Sequence, residues 1–309
     1  MSLRDRILKA LPFSGGELDM LIWSAPHRYK HFEIAKRQHG AYRKISQPTP
    51  EVKLLQRWLV NNYLNQFPVH RSATAYRRRI GLAANVLPHS KNRFLFKIDF
   101  SDFFPSIKSS HFVEFMRLHK QTSEDIDVAR HICFKHDRKK GELQLAIGAP
   151  SSPLLSNVMM YRLDTELANM AEANQVVYTR YADDLSFSCA NPNILQLIEK
   201  ELVDIIYHNS IVPLVINSNK TVHSSKKNGR VITGIVITPE GNLSVGRERK
   251  RLLRAQIHRF KCGNLPPEEI AAVSGYVAFL HSVEPTHLHR LVTNFGAETM
   301  RILFPALDI

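Results

Sequence analysis

Asp183 and Asp184 stand side by side in the stretch Tyr178-Thr179-Arg180-Tyr181-Ala182-Asp183-Asp184-Leu185-Ser186-Phe187-Ser188. Adjacent carboxylates repel each other unless a positive charge lies between them. A divalent cation meets that need, because hard cations prefer carboxylate oxygen. Ordinary turns also use Asp, so a second acidic site has to decide. It lies upstream, where Asp99 ends the apolar run Phe94-Leu95-Phe96-Lys97-Ile98. Together Asp99, Asp183 and Asp184 suit two cations about 3.5–4 Å apart. Such a pair activates a hydroxyl and stabilises a leaving oxygen in an in-line phosphoryl displacement.

The neighbouring residues say what must position these groups. Val177, Thr179 and Tyr181 alternate with Tyr178, Arg180 and Ala182, and the alternation resumes at Leu185 and Phe187. This is the period of a strand, so the pair sits on a β-hairpin whose turn falls at 182–184. Phe94, Phe96 and Ile98 alternate with Leu95, Lys97 and Asp99, a second strand. From residue 94 the expected order is strand, helix near 109–118, helix near 123–136, helix near 153–173, hairpin 176–188, helix 192–209 and strand 212–217. Pro153 and Pro192 fit first helical positions behind Ser152 and Asn191 as caps. Without the inserted helix this is a split βαβ plan, β-α-β-β-α-β. That topology brings the end of the first strand beside the hairpin turn, and so Asp99 to Asp183 and Asp184.

Composition narrows the partners. The 309 residues are 44% hydrophobic, enough for one large domain or two to three subdomains with real cores. A formal charge of +14 points to a polyanion, most simply nucleic acid. No apolar run reaches the roughly 20 residues of a membrane span, and residues 1–12 lack a signal-peptide core. The three cysteines, Cys133, Cys189 and Cys262, are odd in number and scattered, which fits a reducing cytoplasm. His131, Cys133 and His136 cluster, but no second ligand pair follows at zinc-finger spacing.

At the N-terminal end, Leu18, Leu21 and Ile22 predict a short helix ending before Pro26. Residues 42–48 read as a strand into a turn, and Thr49-Pro50 opens a helix with Val52, Leu55, Leu59 and Tyr63 inward. Residues 70–93 hold Arg71, Arg77, Arg78, Arg79, Lys91 and Arg93 without an acid, a phosphate-tracking surface. Residues 247–261 hold seven Lys/Arg and one acid. There Arg247, Arg251, Arg254, His258 and Lys261 share one helical face, and Leu253, Ile257 and Phe260 another. Such a face suits a duplex backbone.

Tyr181-Ala182-Asp183-Asp184 on a hairpin, with Asp99 upstream, resembles the catalytic centre of reverse transcriptases. The wider set of motifs, over roughly 40–290, resembles the retron reverse transcriptases of bacteria. The resemblance implies an α+β right-hand polymerase. Residues 1–93 would form N-terminal helices and fingers, and 94–238 a split βαβ palm with fingers-type helices inserted about 109–150. Residues 239–309 would form a helical thumb. It implies that Asp99, Asp183, Asp184 and the Phe100 backbone carbonyl hold two Mg²⁺ ions, with Lys220 protonating the pyrophosphate. Arg43 would meet the incoming triphosphate, and Phe104, five residues after Asp99, would exclude a 2′-hydroxyl. Gly148 and Ala149, in Gly148-Ala149-Pro150-Ser151-Ser152-Pro153, would line the nucleotide site, with Ile147 where the family usually has Gln. Retron enzymes share an Asn-Ala-x-x-His element, here Asn85-Val86-Leu87-Pro88-His89, and a Val-Thr-Gly, here Ile232-Thr233-Gly234.

The expected RNA contacts are Arg77, Arg78, Arg79, Asn85, His89, Thr233, Arg247, Arg251, Arg254 and Lys261. The expected partners are a structured noncoding RNA and its RNA–DNA product, deoxynucleotides, an effector protein and a host RNase H that removes template. The implied reaction starts from an RNA 2′-hydroxyl, gives branched RNA–DNA, and serves anti-phage defence in the cytoplasm. Three alternatives stay open: another bacterial reverse transcriptase, a non-catalytic RNA-binding protein on a polymerase scaffold, and a DNA-templated polymerase. Asp183→Asn and matched RNA and DNA templates separate them.

Overall fold

The computed structural model describes residues 1–35 and 42–305. The chain opens with helices α1 (Leu3–Ala10) and α2 (Gly15–Ser24), each started by a capping box from Ser2 or Ser14. Strands β1 (Tyr29–Ala35) and β2 (Tyr42–Pro48) pair antiparallel, and α3 (Pro50–Asn62) follows with Pro50 in its first turn. Val52, Leu55 and Leu59 are buried as the spacing predicts, while Thr49 makes no side-chain cap bond. Short α4 (Leu82–Val86) leads into β3 (Phe94–Asp99), α5 (Phe103–Ser106), α6 (Ser109–Leu118) and α7 (Ser123–Cys133).

Three expectations change here. The helix expected to reach 136 ends at Cys133, and a small hairpin follows, β4 (Lys135–Asp137) with β5 (Glu142–Gln144). The long helix near 153–173 is two, α8 (Ser152–Met159) and α9 (Tyr161–Ala173), parted at Met160 with φ −84 and ψ −2. The palm hairpin β6 (Val177–Tyr181) and β7 (Asp184–Cys189) precedes α10 (Pro192–Asn209) as expected. The segment 212–217, however, is not a strand. Pro213 has no N–H to give a ladder, and only an isolated bridge joins Ile216 to Phe100. The fourth palm strand is β8 (Val222–Ser225).

The palm sheet has the order β6-β7-β3-β8, antiparallel throughout. This is the split βαβ arrangement, with β3 central and its C-terminal end beside the β6–β7 turn. After it come β9 (Arg230–Ile232), β10 (Ile235–Ile237) and β11 (Leu243–Ser244), then helices α11 (Arg247–Lys261), α12 (Pro267–Val283), α13 (Pro285–Phe295) and α14 (Ala297–Leu303).

Two hydrophobic cores divide the molecule. The first joins the N-terminal helices, α3 and the helix-covered face of the palm sheet, including Leu3, Leu55, Phe96, Phe187 and Ile198. The second joins Ile232, Ile235, Ile257, Val273, Leu288 and Met300, and takes in Val86 and Leu95 from the palm side. In packing terms β9 and β10 thus go with the C-terminal helices.

Candidate active site

Strand alternation gives β3 two faces. Phe96 and Ile98 turn into the first core, so Lys97 and Asp99 face the open side. In the ladder Asp99 lies opposite Asp184, and Tyr181 pairs with Asp184 across the hairpin. Ala182 and Asp183 are left as a two-residue turn. Ala182 has φ 57, a left-handed conformation that a residue with a Cβ adopts at a cost. The Phe100 N–H donates to the Asp183 carbonyl at 3.2 Å, tying the end of β3 to the turn. The carboxylates that lie so far apart in sequence therefore meet at one end of the sheet.

Their meeting has an electrostatic cost. Burial, then the Asp99 charge, raises the Asp183 carboxyl above the usual range. Asp184 is pushed up to about 7 by burial, then by Asp183 and Asp99. Lys220 relieves part of this: its Nζ lies 2.8 Å from Asp99 Oδ2. That hydrogen bond raises the lysine's own pKa. Among the described residues, no three His, Cys, Asp or Glu side chains group closely enough to hold a metal ion by themselves. An open, all-oxygen cluster fits a hard cation that keeps waters and takes further ligands from substrate phosphates. Among the described residues the Phe100 carbonyl accepts no hydrogen bond, so its lone pairs are free for the same purpose.

Of the residues expected on the nucleotide side, Arg43 is the one whose charge reaches the carboxylates. Arg43 lies on β2 opposite Ile34, and its charge is felt at Asp183. Gly148 has φ 109, and a Cβ there would stand 2.9 Å from Ile45 Cγ2. The Ile147 carbonyl accepts from Ser46 N at 2.8 Å, so the main chain at this position, not a Gln side chain, binds the fingers strand. Ala149 is buried. Phe104 is half-buried, and its ring lies 6.3 Å from that of Tyr76.

Tyr76 escaped the sequence reading. Its ring is also 6.5 Å from that of Tyr181, and its backbone has φ 62. Burial, then Asp183, pushes its phenol up to about 12. The loop before it is stitched to the catalytic strand, with Thr74 N donating to the Arg180 carbonyl at 2.8 Å. An aromatic inside an acid-free basic run was the available signal.

Arg180 was also missed. Its Nε and Nη2 donate to the two oxygens of Asp164 at 2.8 and 2.6 Å, and both side chains are fully buried. Tyr178 donates its hydroxyl to Asp164 Oδ1 at 2.8 Å. Arg180 Nη1 donates to the Ala182 carbonyl at 3.0 Å, so this ion pair holds the turn itself.

The expected RNA contacts divide. Arg78, Arg79, Arg247, Arg251, Arg254 and Lys261 are exposed, with Leu253 and Ile257 of α11 buried behind them. Arg77 is half-buried and donates to the Ala73 carbonyl at 3.3 Å. Asn85 and His89 are not at the surface; they are interior. His89 contacts Ser188 Oγ through Nδ1 at 2.7 Å and Thr179 Oγ1 through Nε2 at 2.8 Å. Asn85 Oδ1 accepts from Thr74 Oγ1 at 2.9 Å. The buried Arg230 guanidinium donates to the His89, Ser90 and Asn92 carbonyls. Through His89 and Arg230 this element ties the palm sheet to β9, and the side chains of Asn85 and His89 are shut away from solvent. Thr233 and Gly234, φ 47 and 80, turn β9 into β10, and Thr233 Oγ1 is buried without a partner.

A split βαβ sheet that gathers carboxylates at one end, flanked by a basic helical arm, defines a template-directed polymerase of the right-hand class. The family profile described as reverse transcriptase (RNA-dependent DNA polymerase) matches residues 34–237. The Retron Ec83 reverse transcriptase of Escherichia coli is 33% identical over 306 residues, 97% of this chain and 96% of that protein. The Retron Ec86 enzyme of the same organism is 33% identical over 290 residues, 92% and 86% of the two chains. The Retron Ec73 enzyme is 31% identical over 297 residues, 90% of each. The chain belongs to the reverse transcriptase family, among its bacterial retron members, and is an RNA-directed DNA polymerase. Reverse transcriptases depend on divalent metal and act on a nucleic-acid template. Among the described residues no helix is long and apolar enough to cross a membrane.

Proposed function

We propose that this enzyme copies a structured noncoding RNA into single-stranded DNA, priming from an RNA 2′-hydroxyl to give branched RNA–DNA. The observation that carries the catalytic part is the ladder pairing of Asp99 with Asp184 beside the Asp183 turn. Asp99, Asp183, Asp184 and the Phe100 carbonyl would hold two Mg²⁺ ions. When bound, such ions lower the pKa of the attacking hydroxyl and stabilise charge on the leaving oxygen. The chain's own groups do the rest. Arg43 meets the triphosphate, and Phe104 with Tyr76 walls the sugar so that a 2′-hydroxyl is excluded. Gly148 and Ala149 bring main chain close to the nucleotide. Lys220, held 2.8 Å from Asp99 Oδ2, would donate a proton to the pyrophosphate. Arg78 and Arg79 on one side, and the exposed arginines of α11 with Lys261 on the other, grip backbone phosphates. The proposal extends to an RNA primer, an effector partner, removal of template by a host RNase H, and a role in cytoplasmic anti-phage defence.

The test is extension of a primed RNA template by Asp183→Asn. The variant is expected to lose extension by roughly a hundred- to a thousandfold while RNA binding survives, since an electrostatic device at the reacting centre is worth that much. Wild-type protein that binds RNA but extends nothing with Mg²⁺ would favour the RNA-binding scaffold. Co-purification of small DNA with RNA joined through a 2′-linkage, from cells that carry the upstream genomic region, tests the priming mode.

A further inference from the structure

The open face of the palm sheet carries a charged side chain that the catalytic cluster does not use. Lys97 lies two residues before Asp99 on the central strand, about 6.6 Å back along it. It stands opposite Ser186 on β7 and Val222 on β8. By alternation it shares the face of Asp99 and Asp184. The side chain is half-buried, and among the described residues no hydrogen bond or ion pair reaches its ammonium.

A lysine in the middle of a sheet is unfavourable. Strand interiors disfavour it, and a partly desolvated ammonium without a partner adds a further cost. The next residue back on the same face, Leu95, lies in the second core with Ile232 and Ile257. Lys97 thus stands between the carboxylates and the base of the thumb. A duplex whose primer end reaches Asp99 and whose backbone lies along α11 must cross this position. A single mobile ammonium suits a phosphate met as a point charge.

We infer that Lys97 holds a primer-strand phosphate just upstream of the reacting hydroxyl, and so positions that hydroxyl. The inference rests on the polymerase reading above. It places Lys97 on the primer side of the site, away from the triphosphate side served by Arg43.

The test uses primers on an RNA template with one neutral methylphosphonate at each of the last four linkages. Binding is titrated without deoxynucleotides. Wild-type protein is expected to bind roughly tenfold more weakly when one particular linkage is neutral, the loss of one charge-assisted contact. Lys97→Met is expected to bind the all-phosphate primer more weakly by a similar factor and to ignore that substitution. Lys97→Arg is expected to keep the sensitivity. Deoxynucleotide KM stays unchanged, and Lys97→Met unfolds at the same or a higher temperature, which a structural lysine would not allow. The inference is overturned if wild-type binding responds equally to every linkage, if Lys97→Met keeps the wild-type pattern, or if deoxynucleotide KM rises instead. Wild-type protein that binds but does not extend sinks the polymerase reading alone, because the phosphate contact is judged from binding.

Discussion

Asp164→Asn removes the charge opposite Arg180 while keeping the shape of the side chain. The native pair is bidentate, with both side chains fully buried, and Tyr178 adds a third bond to Asp164. Asn offers one acceptor where Arg180 and Tyr178 need two, and leaves a guanidinium buried without its counter-charge. Breaking a buried pair from one side costs about 3–5 kcal/mol. Unfolding entropy of about 2.1 cal/mol/K per residue, over 309 residues, is about 0.65 kcal/mol/K. The melting temperature should therefore fall by about 5–8 °C. Stability alone does not test the link to catalysis. The double variant Asp164→Leu with Arg180→Met does, because a buried pair replaced by apolar groups regains most of the stability. It does not restore the donor to the Ala182 carbonyl, which in the native protein is Arg180 Nη1 at 3.0 Å. A turn that drifts by about 1 Å costs on the order of a hundredfold in rate. Calorimetry paired with single-nucleotide extension at saturating substrates is the assay. The double variant is expected to melt above Asp164→Asn, though below wild type because Tyr178 loses its acceptor, and to extend slowly. Recovery of both together, or an Asp164→Asn protein that melts like wild type, would refute the claim that this pair holds the catalytic turn.

Three further outcomes follow from other contacts. Burial, then Arg230, lowers His89 from its usual value of 6.5 to about 3. The folded state holds it neutral, so the unfolded chain binds one more proton between those values. Its contribution is present above pH 6.5 and lost as pH falls toward 3, at up to about 1.4 kcal/mol per pH unit. Denaturant titrations from pH 7 to 5 should show that slope in wild type and a shallower one in His89→Gln. Gly148→Ala forces a side chain into φ 109 and against Ile45 Cγ2 at 2.9 Å; a loss of about 1–3 kcal/mol and a raised deoxynucleotide KM are expected by melting and steady-state kinetics. Arg251→Ala and Arg254→Ala, both exposed on α11, should each reduce the slope of log affinity against log salt by about 0.9 for duplex, read by filter binding, with kcat unchanged.

Much of this site was legible because strands declare their period. Alternation at 94–99 and 177–188 placed the carboxylates, and the split βαβ plan brought them together. Gly148 was legible as a close approach of backbone, and the two faces of α11 as charge against apolar stripe. Long-range polar pairing was harder to read. Arg180 sits on the core face of β6 with Tyr178, and Asp164 lies beside Leu163 on the buried side of α9. Each is an anomaly on an apolar face, and the two together are a buried pair, but periodicity treats such residues as noise. Asn85 and His89 misled for a related reason: a basic, acid-free run suggested surface, while their partners Thr74, Thr179 and Ser188 are ordinary strand and loop hydroxyls. Residues 212–217 misled because apolar content suggested a strand that Pro213 denies.

The same five residues of β6 bind three bodies at once. Tyr178 and Arg180, facing the core, fix the hairpin to α9 through Asp164. Thr179, facing the opposite way, fixes it to His89 and, through Arg230, to the base of the thumb. Tyr181 reaches the loop that carries Tyr76. Because the ties to Asp164 and His89 are buried polar bonds, the hairpin cannot shift without leaving a donor or acceptor unpaired, at about 1–3 kcal/mol each. Asp183 and Asp184 are thus set by the fold before any substrate arrives, as electrostatic preorganisation requires. In the proposed mechanism the groups that follow the nucleotide are Lys220, whose side chain is 59% exposed although bonded to Asp99, and Arg43 on its exposed strand. In that mechanism fixed acids would define where the reaction occurs, and Lys220 and Arg43 would adapt to the phosphate that enters.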